Sequence, residues 1–172
     1  MRGEGEVGIE NRGLNRWGLN LVQGQPYEGL LVLQAEATVE VIVALESGDG
    51  SRVYAESALP VAGDKAWHDL AFALTPNAGD PAGRFAIKLR APGAVWVDYA
   101  FLQPGPWGRF RGLALRKDIV EGLLAEGLRV MRYGGFMTNT DWDLERRCPG
   151  SGYRWKKMIG PRQERPPYLG TL

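Results

Sequence analysis

The sequence predicts a mostly β fold: an antiparallel β-sandwich of the jelly-roll kind, followed by one helix–strand unit of an incomplete α/β fold. Three observations carry this expectation. Short apolar runs with a two-residue period recur up to about residue 104, each closed by turn-forming residues. Gly (24) and Pro (11) are abundant, which suits a turn-rich β protein better than a helical bundle. Beyond residue 104 the pattern changes to one amphipathic helix and a tail rich in Gly, Pro and Arg.

Taken in order, residues 17–22, 27–37 and 53–58 are the weaker strand candidates. Val39, Val41, Val43 and Leu45 share one face of a strand, although Ile42 makes the opposite face partly apolar. Leu70, Phe72 and Leu74 alternate with Asp69, Ala71 and Ala73. Phe85, Ile87 and Leu89 alternate with Arg84, Ala86, Lys88 and Arg90, so the second set is expected to face water. Val95, Val97, Tyr99 and Phe101 alternate with Ala94, Trp96, Asp98 and Ala100. The intervening Gln23-Gly-Gln-Pro26, Gly48-Asp-Gly50, Ala62-Gly-Asp64, Pro76-Asn-Ala-Gly-Asp-Pro81 and Ala91-Pro-Gly93 supply the fixed-φ and positive-φ positions of reversals.

The segment Gln103-Pro-Gly-Pro-Trp-Gly-Arg109 marks a boundary, because its prolines remove backbone donors. Residues 1–104 are therefore expected to form the sandwich domain and 105–172 the beginning of a second. In the latter, Leu115, Ile119, Val120, Leu123 and Leu124 recur at helical spacing, and Gly127 is placed to end the helix. A strand at 128–133 should follow, stopped by Gly134-Gly135. One such unit cannot bury both faces of its strand, so either further chain or the sandwich must cover it.

Composition excludes several functions. The net charge is +1, from 21 basic and 20 acidic residues, which gives no long-range field for nucleic acid or an anionic membrane. Arg146, Arg147, Arg154, Lys156 and Lys157 interleave with aromatics in the tail, but acidic neighbours dilute them and no nucleic-acid motif accompanies them. Cys148 is the one cysteine and His68 the one histidine, so no disulfide and no Cys/His zinc site is expected. Nothing around Cys148 supports a nucleophile. No apolar run approaches the length of a membrane span, and the first residues lack the core of a signal peptide, so the sequence as written reads as soluble and not exported. No cofactor is expected: Tyr133-Gly-Gly135 matches neither phosphate-loop nor dinucleotide signatures.

Sugar chemistry normally needs two carboxylates, and the tail offers Asp141, Asp143, Glu145 and Glu164. Asp141 and Asp143 flank Trp142 and would point to opposite sides of an extended segment, so both read as loop residues. Glu164 reads as an arginine partner. Trp96 falls on the polar register of its strand, where a core or interdomain role is expected, and Asp98 shares that register.

The order of motifs resembles family 51 α-L-arabinofuranosidases. Asn11-Arg-Gly-Leu14, Trp17-Gly18 and Gly24-Gln-Pro-Tyr27 resemble the opening of that family's jelly-roll domain. Gly93-Ala-Val-Trp-Val-Asp98 through Phe101-Leu-Gln-Pro104 resembles its last strand. Leu115-Arg-Lys-Asp-Ile-Val-Glu121, Met131-Arg-Tyr-Gly-Gly135, Tyr153-Arg-Trp-Lys156, Ile159-Gly-Pro161 and Arg165-Pro166 resemble successive motifs beyond it. Two departures are Tyr133 in place of a Phe-Pro pair and a longer segment at 138–152.

The resemblance implies a sandwich of the galactose-binding or carbohydrate-binding-module kind, followed by the start of a (β/α)8 barrel. It implies a parent glycoside hydrolase that releases arabinofuranose from plant polysaccharides with retention. The acid/base and nucleophile would be glutamates on later barrel strands, so no catalytic residue, metal or cofactor is expected in these 172 residues. It further implies an arabinose-containing polysaccharide or oligosaccharide as partner. The edge of the sugar pocket would lie at Gly134, Gly135 and Phe136, with Asn139 and Trp155 as further substrate-binding candidates. Two other readings are a stand-alone carbohydrate-binding module and a purely structural domain bracing a barrel.

Overall fold

The computed structural model describes residues 2–3, 6–113, 115–130 and 160–164. The chain divides into two compact units, Met1–Gly122 and Leu123–Leu172.

The described residues of the first unit hold ten strands: β1 (Arg2–Gly3), β2 (Val7–Asn11), β3 (Leu19–Leu21), β4 (Tyr27–Gln34), β5 (Val39–Glu46), β6 (Val53–Val61), β7 (His68–Leu74), β8 (Asp80–Leu89), β9 (Gly93–Ala94) and β10 (Trp96–Pro104). Every pairing is antiparallel. A five-stranded sheet runs β2-β8-β5-β6 with β3 also on β8, a three-stranded sheet runs β10-β4-β7, and β1 pairs with β9.

The two larger sheets enclose one apolar core, because period-two alternation aims each strand's branched residues inward. Val41, Val43 and Leu45 from β5, Phe85, Ile87 and Leu89 from β8, Leu31 and Leu33 from β4, and Phe72 and Leu74 from β7 are all buried in it. The Phe72 and Phe85 rings stack across the sandwich at 5.8 Å between centroids. Gly29 lies under the Phe72 ring, where a Cβ would come within 2.1 Å of ring atoms, so only glycine fits.

The β-sandwich is the expected one, but three details of register differ. Lys88 and Ala86 are buried, so the second face of β8 meets water only toward Arg84 and Arg90. In β10 the alternation breaks at Asp98: Val97 pairs with Leu33 and Tyr99 with Val32, leaving Asp98 as a bulge. A bulge inserts one residue and inverts the faces of everything after it. Tyr99 and Phe101 therefore leave the face of Val97 and join that of Trp96. Third, β10 runs on to Pro104, opposite Tyr27.

Past that strand the chain stays attached to the sandwich. Gly105 N–H donates to the Pro26 carbonyl (2.8 Å), and Trp107 Nε1 donates to the same carbonyl (2.6 Å). The Trp107 indole meets Tyr27 edge-on at 5.5 Å, and the Tyr27 hydroxyl donates to the Asn20 carbonyl.

Helix α1 spans Lys117–Ala125. Its end is the one expected: Gly127 has φ +76°, its N–H donates to the Leu124 carbonyl, and Leu128 N–H donates to the Leu123 carbonyl. In the second unit residues 128–130 are not in a strand, and the rest of the strand expected at 128–133 lies outside the described residues. Arg162–Glu164 forms a single 3-10 turn.

Candidate functional site

Gly134, Gly135, Phe136, Asn139 and Trp155, the substrate-binding candidates, lie outside the described residues, as do Asp141, Asp143, Glu145 and Cys148. Glu164 is described and exposed. His68 Nε2 lies 2.8 Å from Asp64 Oδ1, a four-residue local pair.

The described residues build two distinct outer faces. On the three-stranded sheet, cross-strand rows place Trp96 beside Gln34, Tyr99 beside Val32 and Asp69, and Phe101 beside Leu30 and Ala71. The Tyr99 and Phe101 rings lie 6.3 Å apart and 21° from parallel. Trp96 is 45% exposed. Three aromatics thus line one face of β10, flanked by the polar side chains of Gln34 and Asp69. Flat rings with polar groups beside them are what a sugar ring stacks on, since its C–H face packs on π surface while its hydroxyls find hydrogen bonds.

The outer face of the five-stranded sheet is charged. Glu46 is fully buried at the end of an otherwise apolar strand. Its Oε2 accepts from Arg84 Nε (2.9 Å) and Nη2 (2.7 Å), and its Oε1 accepts from Lys88 Nζ (2.5 Å). Arg84 Nη1 also donates to Glu10 Oε2 (2.5 Å), and Glu10 Oε1 accepts from Arg16 Nη2 (3.3 Å). Glu6 lies 3.5 Å from Lys88, and Arg90 donates to both oxygens of Glu56. Burial works against the Arg84 charge, but the bonds and charges of Glu46 and Glu10 outweigh it and hold the guanidinium above its ordinary range.

A general acid needs a carboxyl raised toward neutrality. Among the described residues every carboxyl with a displaced titration moves the other way. Glu56 is held down by its bond from Arg90, Asp64 by His68, Asp118 by Arg116, and Asp49 falls to about 2 under hydrogen bonds from Ser47 and Ser51. The groups of the charged face are bonded to one another in a network across β2, β5 and β8.

Sequence reasoning missed both faces for definite reasons. For the network the sequence showed only the parts, Arg84 and Lys88 four apart on one side of a strand and Glu46 ending an apolar run, and not their pairing. The aromatic row carried no signal, because a bulge at Asp98 is invisible to alternation.

The chain is 28% identical over 171 residues to "Alpha-L-arabinofuranosidase 1" of Arabidopsis thaliana, a match covering 98% of this chain and 24% of that protein. It is 29% identical over 164 residues to an extracellular exo-α-L-arabinofuranosidase of Streptomyces chartreusis, covering 91% of this chain and 19% of that one. This chain resembles the α-L-arabinofuranosidases. An arabinose-bound family 51 α-L-arabinofuranosidase superposes on 98% of it with a TM-score of 0.78 at 22% identity, the match covering 27% of that enzyme. At that identity the superposition speaks for the fold. The arabinofuranosidase-like chain spans about a quarter of the length of the Arabidopsis relative. No protein-family profile matches it.

Proposed function

We propose that this chain is the sandwich-bearing part of a glycoside hydrolase acting on arabinofuranosyl groups of plant cell-wall polysaccharides. In this reading residues 1–104 are the sandwich and 105–172 begin a (β/α) barrel. The intact parent retains anomeric configuration through two glutamates that these 172 residues do not supply. The observation that carries the reading is the likeness to arabinofuranosidases along 98% of the chain, against a quarter of their length. The test is an assay on an aryl arabinofuranoside. This chain alone is expected to give no turnover above buffer; robust turnover would overturn the placement of the catalytic pair elsewhere.

A second reading, favoured by the aromatic row on β10, is a glycan-binding module that works without a barrel. Affinity electrophoresis in arabinoxylan, arabinan and xylan tests it. Binding that Trp96→Ala weakens would support it, and passage unretarded through all three glycans would sink it.

A further inference from the structure

β2 and β3 are one edge strand interrupted once. Asn11 pairs with Phe85 and Leu19 with Gly83, so residues 12–18 loop out opposite a single residue, Arg84. The excursion is tightly built. Asn15 (φ +52°) and Arg16 (φ +58°) are consecutive non-glycine residues in the left-handed region, flanked by Gly13 (φ +71°) and Gly18 (φ +98°). A Cβ on Gly18 would meet the Ala82 backbone at 2.4 Å. Gly18 N–H donates to the Arg12 carbonyl (2.7 Å), Gly13 N–H to Asn11 Oδ1 (2.7 Å) and Trp17 N–H to the Leu14 carbonyl (3.1 Å). The loop is rooted in the charged face, since buried Glu46 holds Arg84, Arg84 holds Glu10, and Glu10 holds Arg16.

All this construction presents Trp17 outward, 74% exposed. Backbone strain persists only where surroundings enforce it, and it concentrates at sites of recognition. Merely blocking edge-to-edge pairing would need a charge, not an exposed indole that invites association. A protein partner would require a broad contact of roughly 800 Å² on this side. On this seven-residue loop the exposed indole stands among Leu14, 79% exposed, Arg16, 74% exposed at its side chain, and exposed Asn15.

We infer that Trp17 is a glycan-stacking subsite, separate from the aromatic row on β10. One sugar of a pentose-based polysaccharide packs its C–H face on the indole, while Arg16 and Asn15 hydrogen-bond its hydroxyls. The inference rests on the polysaccharide class named under the proposed function.

Affinity electrophoresis and calorimetric titration with arabinoxylan and arabinan, on the chain and on Trp17→Ala, Trp17→Phe and Trp96→Ala, test it. The expected result is an at least tenfold weaker association for Trp17→Ala, largely restored in Trp17→Phe, with unchanged circular dichroism and melting. A Trp17→Ala chain that binds like the original while Trp96→Ala does not would overturn the inference and leave the polysaccharide reading intact. A loss of self-association with unchanged glycan binding would also overturn it. An original chain that binds none of these glycans would instead sink the polysaccharide reading itself, and this subsite with it.

Discussion

Glu46 accepts three hydrogen bonds from two cations and has no contact with solvent. Removing one member of such a set is costly because it leaves the others charged and desolvated; removing all of them is not. Glu46→Ala is expected to destabilise the sandwich by roughly 3–5 kcal/mol in urea unfolding, since Arg84 and Lys88 lose their shared acceptor. Replacing Glu46, Arg84 and Lys88 together with apolar residues of similar volume is expected to cost much less. Equal losses in the single and triple variants would show that the charges are not coupled. Residue types alone could not have told this network from an open charged face. Lys88 and Arg84 look solvated in a period-two pattern, and only the pairing of Glu46 with Arg84 and Ile42 with Lys88 brings the carboxylate between them.

At the scale of elements, the hairpin turn between β5 and β6 is organised by Asp49. Its Oδ1 accepts from the Ser47 hydroxyl (2.6 Å), the Ser51 hydroxyl (2.9 Å) and the Ser51 N–H (3.0 Å). These bonds favour the charged form and lower the carboxyl from 3.8 to about 2. Because the folded value is depressed, the stabilisation is fully present above the ordinary value near 3.8 and is lost as pH falls toward about 2. Melting temperatures of the chain and of Asp49→Asn should differ above that window and converge below it; a gap independent of pH would contradict the assignment. The sequence located this turn through Gly48-Asp-Gly50, and it located β5, β7 and β8 through the alternation of their apolar residues. It placed Tyr99 and Phe101 on the wrong face because one extra residue in β10 inverts the pattern without any compositional mark. The helix end at Gly127 was legible, since a positive φ there has one natural occupant. Strand β2 was not, because Gly8, Glu10 and Asn11 leave it only two apolar residues.

For the molecule as a whole, the order of motifs along the sequence brought the arabinofuranosidase likeness within reach before any coordinates. The candidate residues it nominated, Gly134 to Trp155, fall outside the described residues, whereas the aromatic row and the Trp17 loop belong to the first unit. The Trp17 loop is rooted in the Glu46 network, and the nature of that network has a consequence for the medium in which the protein works. Dissolved ions weaken attractions they can surround, the screening distance shrinking from about 10 Å near 0.1 M salt to about 3 Å near 1 M. They cannot surround Glu46. Exterior pairs such as Arg90 with Glu56 should fade in brine, while the Glu46 clamp persists, so the melting temperature should change little between those two salt levels. A steep fall would mean that the clamp opens to water, and the scaffold beneath Trp17 with it.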